Sequence, residues 1–369
     1  MVLTFATRPE RYLPVMPTIN RILLGTLALT ACGGPPELPP PVFSAGPEVD
    51  TLVAPVVNIG TAIPRSDSTW VLLAPIEGEL LVADFTAATV SPHPGISKEE
   101  VPGATAAFGL GDSLVVGDWG LRRFTVWLPD GQRVDAIPTV DAMRGAFPSA
   151  RDAAGNWYFE LKPVPGPSGI GNLDSLAIVR ADALLERFDT VAWLAPIEHA
   201  EVVRDGGPRY EALALAGRDL WGVRADGTVW VVRRNWNFVQ WYPPGGGKPV
   251  DSRNLPDPVL TVTEMDRQIW LRRYEEEYRA QLRGARFAII KPPVEQAYEG
   301  ADGRLWLFKS APALDSVRTF QVVDSTGVTA VVRVPSRGSA LGVTATHILM
   351  GEEFPGGIRL LRYPMPPGL

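Results

Sequence analysis

Past residue 50 the apolar positions fall into short runs, each opened by a tight polar turn. Three copies read alike: "DAAGNWYFEL" from Asp152, "RADGTVWVV" from Arg224 and "GADGRLWLF" from Gly300. In each, a small or acidic turn ending in Gly precedes β-branched and aromatic residues, a pattern that predicts a hairpin turn followed by a strand. Looser copies are "PIEGELLVAD" from Pro75, "GLGDSLVVGD" from Gly109 and "GVTATHILMG" from Gly342. The residues opening the six runs are Glu79, Ser113, Asn156, Thr228, Arg304 and His347, spaced by 34, 43, 72, 76 and 43 positions. Strand clusters recurring at roughly 40 residues predict the blades of a propeller.

The second and fourth copies show the order inside a blade. Leu114 to Gly117 reads as one strand, Asp118 to Arg123 as a loop, and Phe124 to Leu128 as the next strand before the turn Pro129-Asp130-Gly131. Val229 to Val232, Arg233 to Asn237 and Phe238 to Tyr242 repeat that order. Little chain remains after Tyr363 for an outermost strand, so "TLVAPVVNI" at Thr51 to Ile59 is expected to supply it and latch the ring. The longer of the wide gaps holds "TVTEMDRQIWLRRYEEEYRAQLRGARF". Thr263 with Asp266 forms a capping box, Met265, Ile269, Tyr278 and Leu282 recur on one face, Glu275 pairs with Arg279, and Gly284 stops the run, predicting an inserted helix near 263–283. The other wide gap hides either a long loop with an extra strand or a seventh blade. "PVPGPSGIGN" from Pro163 is a poor strand, which favours the loop.

This succession resembles the six-bladed β-propellers of the NHL and TolB-like kind, in which a glycine turn, a strand, a polar loop and a second hairpin like "V-x-x-PDG" recur. The resemblance covers residues 50–366 and implies an all-β six-bladed propeller. Its motifs record strand-and-turn chemistry and carry little about function.

The amino-terminal part has a different character. Residues 33 to 49 ("GGPPELPPPVFSAGPEV") are crowded with Pro and Gly, so 32–49 is expected to be a tether. Before it, Arg21 precedes the apolar run Ile22 to Leu29, too short to span a bilayer, and then "LTACG" with the chain's one cysteine. With Met16 as the true start, residues up to 31 read as a signal peptide. "LTAC" resembles the lipobox of bacterial lipoproteins, which implies cleavage before Cys32, a lipid on its thiol, and an anchor in the cell envelope. Gly33 in place of Asp makes the outer membrane the expected destination by the best-known sorting rule. The alternative is a plain secretory signal followed by a stray cysteine.

Net charge is -6, and residues 1–31 carry +2, leaving -8 for the remainder, which argues against nucleic acid as a partner. "GDSL" at Gly111 to Leu114 matches an esterase motif, but His93, His199 and His347 follow no Asp at the spacing that family needs. No His-rich or EF-hand spacing appears, so no cofactor is expected, with calcium held open through Glu160, Asn172 and Asp118. "GGGK" at Gly245 to Lys248 lacks the flanks of a phosphate loop.

Most of the eleven tryptophans lie in the repeated strands and serve packing. Trp119 and Trp236 instead fall in loops, beside Arg122 and Arg123 or Arg233 and Arg234. Loops after the repeated strands should emerge together at one end of the ring: 84–88, 118–123, 162–172, 233–237, 309–316 and 352–357. Trp119, Arg122, Arg123, Arg234 and Trp236 therefore mark the candidate binding face. The expected role is a binding or scaffold module for a protein, peptide or glycan, with no chemistry of its own. A propeller-type metal-dependent lactonase or lyase is the alternative, favoured if buried carboxylates converge in the central channel.

Overall fold

In a strand buried on both faces, alternate side chains serve opposite neighbours, and the apolar runs become contacts in two directions. The computed structural model describes residues 39–369 except 49, 205, 206, 235, 236, 275, 277, 278, 280, 281 and 283. Within it, Pro40–Leu369 form one unit. Strands β1 (Val42–Ser44) and β2 (Asp50–Ala54) come first. Blade 1 follows as β3 (Thr61–Pro64), β4 (Thr69–Ala74), β5 (Glu79–Asp84) and β6 (Thr89–Pro92). Blade 2 is β7 (Ala104–Leu110), β8 (Ser113–Asp118), β9 (Arg123–Trp127) and β10 (Arg133–Pro138). Blade 3 is β11 (Pro148–Arg151), β12 (Trp157–Leu161), β13 (Leu176–Ala181) and β14 (Phe188–Leu194). A separate hairpin, β15 (His199–Arg204) and β16 (Gly207–Ala212), precedes blade 4: β17 (Leu220–Val223), β18 (Val229–Arg233), β19 (Phe238–Tyr242) and β20 (Val250–Asp251). Helix α1 (Glu264–Arg272) separates it from blade 5: β21 (Val294–Glu299), β22 (Leu305–Lys309), β23 (Arg318–Asp324) and β24 (Gly327–Val334). Blade 6 is β25 (Ser339–Val343), β26 (His347–Phe354) and β27 (Gly357–Pro364), completed by β2.

The fold is an all-β, six-bladed propeller. Six apolar layers, one between each pair of neighbouring blades, close the circle. Trp157 and Phe159 pack against blade 2 while Tyr158, between them, packs against blade 4. Val229 and Val231 turn to blade 3, and Trp230 and Val232 to blade 5. Leu305 and Leu307 continue that layer, whereas Trp306 and Phe308 face blade 6. Leu349 then meets Leu72 of blade 1, and the ring is complete. Each such large side chain contributes about 1.5–3 kcal/mol through removal from water, so the seams dominate stability.

The latch is present: β2 pairs antiparallel with β27, from Asp50 opposite Arg362 to Ala54 opposite Ile358. Arg362 Nε also donates to Asp50 Oδ2 at 3.1 Å. Strand β1 lies in the stretch read as tether and pairs in parallel with β24 of blade 5. The repeat starting at Glu79 is out of phase with the others. It opens the third strand of its blade, and the second strand is β4, which follows the turn Arg65–Ser68 without a glycine. No seventh blade fills the wide gap; the β12–β13 loop and the β15–β16 hairpin do. The first part of the predicted helix is present as Glu264–Arg272, with both bonds of the Thr263–Asp266 capping box formed. Glu275 and Tyr278 lie outside the described residues.

Candidate functional site

The inner strands β3, β7, β11, β17, β21 and β25 start at the end of the ring where the loops after the second strands emerge, because neighbouring strands are antiparallel. That end opens into a funnel of about 1260 Å³. Small hydroxyl and alanine side chains at the inner-strand starts, such as Thr61, Ala62, Thr105, Ser149 and Ser339, keep it wide. The loop 84–88, expected on this face, connects the third and fourth strands of blade 1 and so lies at the opposite end; the corresponding loop here is 75–78.

Trp119 stands on the funnel wall, 64% exposed. Its ring meets Phe147 edge-on, with centroids 6.4 Å apart. Phe147 in turn lies on Gly117, where a Cβ would come within 2.6 Å of the phenyl ring, so glycine there makes room for the support under Trp119. Asp118 closes the loop by accepting from the Leu121 amide at 3.1 Å. Across the wall, the Trp221 indole donates to Glu160 Oε2 at 2.8 Å, which fixes both side chains.

Helix α1 lies over the funnel mouth, to which it contributes Asp266, Ile269 and Trp270. Lys291 Nζ sits 2.5 Å from Asp266 Oδ1 and donates to the Ala311 carbonyl at 2.7 Å, joining the helix to blade 5. Burial works against the charge on Asp266, but Lys291 and the Thr263 hydroxyl and amide outweigh it and hold the carboxyl below its ordinary value. Arg273, just past the helix, lies 3.5 Å from Glu353 of blade 6. The helix thus bridges two blades as a lid.

The remaining nominated residues divide. Arg122 is exposed with φ +50° and does not line the funnel, and Arg123 donates to the Glu100 carbonyl at 3.1 Å, also away from it. The Arg234 side chain is buried, donating to the Gly217 carbonyl at 2.7 Å and lying 3.4 Å from Glu198. It lines a second cavity of about 350 Å³ between blades 4 and 5. Trp236 and Cys32 lie outside the described residues.

Of the calcium candidates, Asp118 is fully buried at the end of β8, Glu160 is bonded to Trp221, and Asn172 sits in a 3-10 turn. Among the described residues no three His, Cys, Asp or Glu side chains converge. Ser113 of "GDSL" opens β8, and Nδ1 of His93, His199 and His347 is engaged locally, with the Gly95 amide, the Ile197 carbonyl and the Thr346 hydroxyl.

Four funnel residues escaped sequence reasoning: Arg144, Arg218, Trp221 and Trp270. The first three lie in or just before inner strands, positions that face the channel in every blade. The available signal was the segment preceding each glycine turn.

No protein-family model matches the chain, and no curated protein matches it in sequence. Solved structures are similar in outline. A virginiamycin B lyase from Staphylococcus aureus matches with TM-score 0.45 and 9% identity over 85% of this chain and 98% of that one. A member of the DUF4221 family from Bacteroides vulgatus gives TM-score 0.45 and 9% identity, covering 86% and 97%. Regucalcin, a calcium-binding protein from Agrobacterium tumefaciens, gives 0.43 and 9%, covering 88% and 96%. At such identities and scores the likeness carries no argument about ligand or activity. The six blades rest on the chain's own sheet order.

Proposed function

We propose that this chain is a lipid-anchored binding module of the bacterial cell envelope, seating its ligand in the funnel without transforming it. One observation carries the reading: a wide, aromatic-walled funnel on a rigid ring, whose acidic groups are dispersed. Asp219 is consumed by Arg233 at 2.7 Å and Asp266 by Lys291, while Glu160 is held by Trp221 and Glu295 belongs to β21 of blade 5. A metal-dependent lactonase or lyase needs carboxylates converging on one point. The anchor rests on the "LTAC" motif and Cys32.

Two measurements test this. The full chain is presented to an oligosaccharide and peptide array, with hydrogen exchange of residues 144–149 and 215–221 reporting on funnel occupancy. Protection of both segments without turnover of the bound compound, followed by mass spectrometry, is expected; turnover refutes the binding role. Labelled fatty acid fed to producing cells should enter the wild type and be absent from Cys32→Ser.

A further inference from the structure

We propose that the ligand is an acidic oligosaccharide, a chain of sugar acids whose carboxylates meet the cations on one side of the funnel; this rests on the binding reading above. The chain as a whole is acidic, with net charge -6, yet six cationic and four acidic side chains line the funnel. The excess is concentrated. Arg144 and Lys162 come from blade 3 and Arg218 from the approach to blade 4, all exposed, and none is paired with a carboxylate among the described residues. Arg144 Nη1 donates to the Lys162 carbonyl at 3.2 Å, so these two are neighbours. Arg218 precedes Asp219, whose charge is already matched by Arg233. Glu160, on β12 of the same blade as Lys162, has its Oε2 occupied by the Trp221 indole, and the remaining lining acid, Glu295, comes from β21 of blade 5.

Three chemistries therefore meet in one cavity. Unpaired cations favour carboxylates through charge-assisted hydrogen bonds. The open face of Trp119 offers a flat apolar platform that suits a sugar ring. Thr61, Thr105, Ser149 and Ser339 present hydroxyls that match those of a glycan. An acidic peptide such as polyglutamate would use the cations but has no ring to lay on Trp119.

Calorimetry on the full chain with hexagalacturonate, cellohexaose and hexaglutamate tests the assignment. Hexagalacturonate should bind, weakening about tenfold or more from about 50 to about 500 mM salt. The triple variant Arg144→Gln, Lys162→Gln, Arg218→Gln should lose about tenfold or more, as expected from removing charged hydrogen bonds, with an unchanged thermal midpoint. Trp119→Ala should lose several-fold. Equal affinity for cellohexaose, binding of hexaglutamate alone, or an unaffected triple variant overturns the acidic-glycan inference. Cellohexaose binding abolished by Trp119→Ala would leave the funnel reading standing while this one falls. If no probe binds and no array ligand protects the funnel in hydrogen exchange, both fall.

Discussion

The seam between blades 1 and 2 and the seam between blades 4 and 5 solve the same packing problem differently. The first is an apolar layer built from Ile63, Val71 and Leu73 on one side and Leu114, Val116 and Trp127 on the other. The second also has an apolar layer, Trp230 and Val232 against Leu305 and Leu307, but ends in a buried polar cluster at the second cavity. There Lys309, at the end of β22, is ion-paired with Asp257 of the inserted segment. Asp257 also accepts from Asn237 at 2.7 Å and from Gln321 at 3.1 Å. Burial pushes the Lys309 ammonium toward a lower pKa, and Asp257 opposes that shift. The contrast teaches that an insertion can be fixed to a propeller by specific buried ion pairs, here Lys309 with Asp257 and Lys291 with Asp266, while the plain seam depends on area alone.

The strongest way to break the comparison is to remove what both seams share, ring closure. Deleting residues up to Ala54 exposes β27 and uncovers Leu349 and Leu360, and should lower the thermal midpoint by about 10 °C or more, followed by circular dichroism. An unchanged midpoint would mean that β2 is dispensable. Next, Asp257→Ala strands Lys309 without its counter-charge and should cost about 3–5 kcal/mol in urea denaturation. The double variant Asp257→Leu, Lys309→Met should recover most of that loss, because an apolar pair of similar size turns this seam into the other kind. A double variant as unstable as the single one would show that the charge is not what fixes the insertion.

A smaller effect concerns the lid. Because the folded-state pKa of Asp266 lies below its ordinary value of 3.8, its contribution is present above about pH 3.8 and is lost as pH falls through the depressed value. Hydrogen exchange of the Glu264–Arg272 amides should accelerate over that window while the blade strands stay protected. Asp266→Asn should make the lid's exchange largely insensitive to pH there.

Blades were legible in the sequence because the tight turns of three of them demand glycine. Gly155, Gly227 and Gly303 take φ of +89°, +86° and +76°, conformations that other residues adopt at a cost, and they recur in three of the six blades. Blade 1 was misread since Gly78 supplies the same signal at a different hairpin, φ +66°, while its own first turn uses "RSDS". Within a blade every hairpin has the same local chemistry, and only pairing order tells them apart. Strand β1 escaped notice because "PVFS" sits among prolines, and its parallel partner lies nearly three hundred residues away, from Val331 to Arg333. The β15–β16 hairpin carried a visible turn in "RDGGPRY", but its faces are largely polar and exposed, so periodicity was weak. The candidate site was half legible: Trp119 and Lys162 by their positions in loops of the expected face, Arg144 and Arg218 not at all, since convergence across blades leaves no spacing along the chain.

Asp50 and Arg362 sit 312 positions apart and share one sheet. A ribosome making this protein emits one half of the clasp near the beginning and the other half in β27 near the end. Until β27 is made, β2 has no strand to pair with, and the faces of blades 1 and 5 that blade 6 covers have no cover. Shielding that strand and those faces is a task for whatever escorts the new chain, and the last strand to arrive is the one that ends the need.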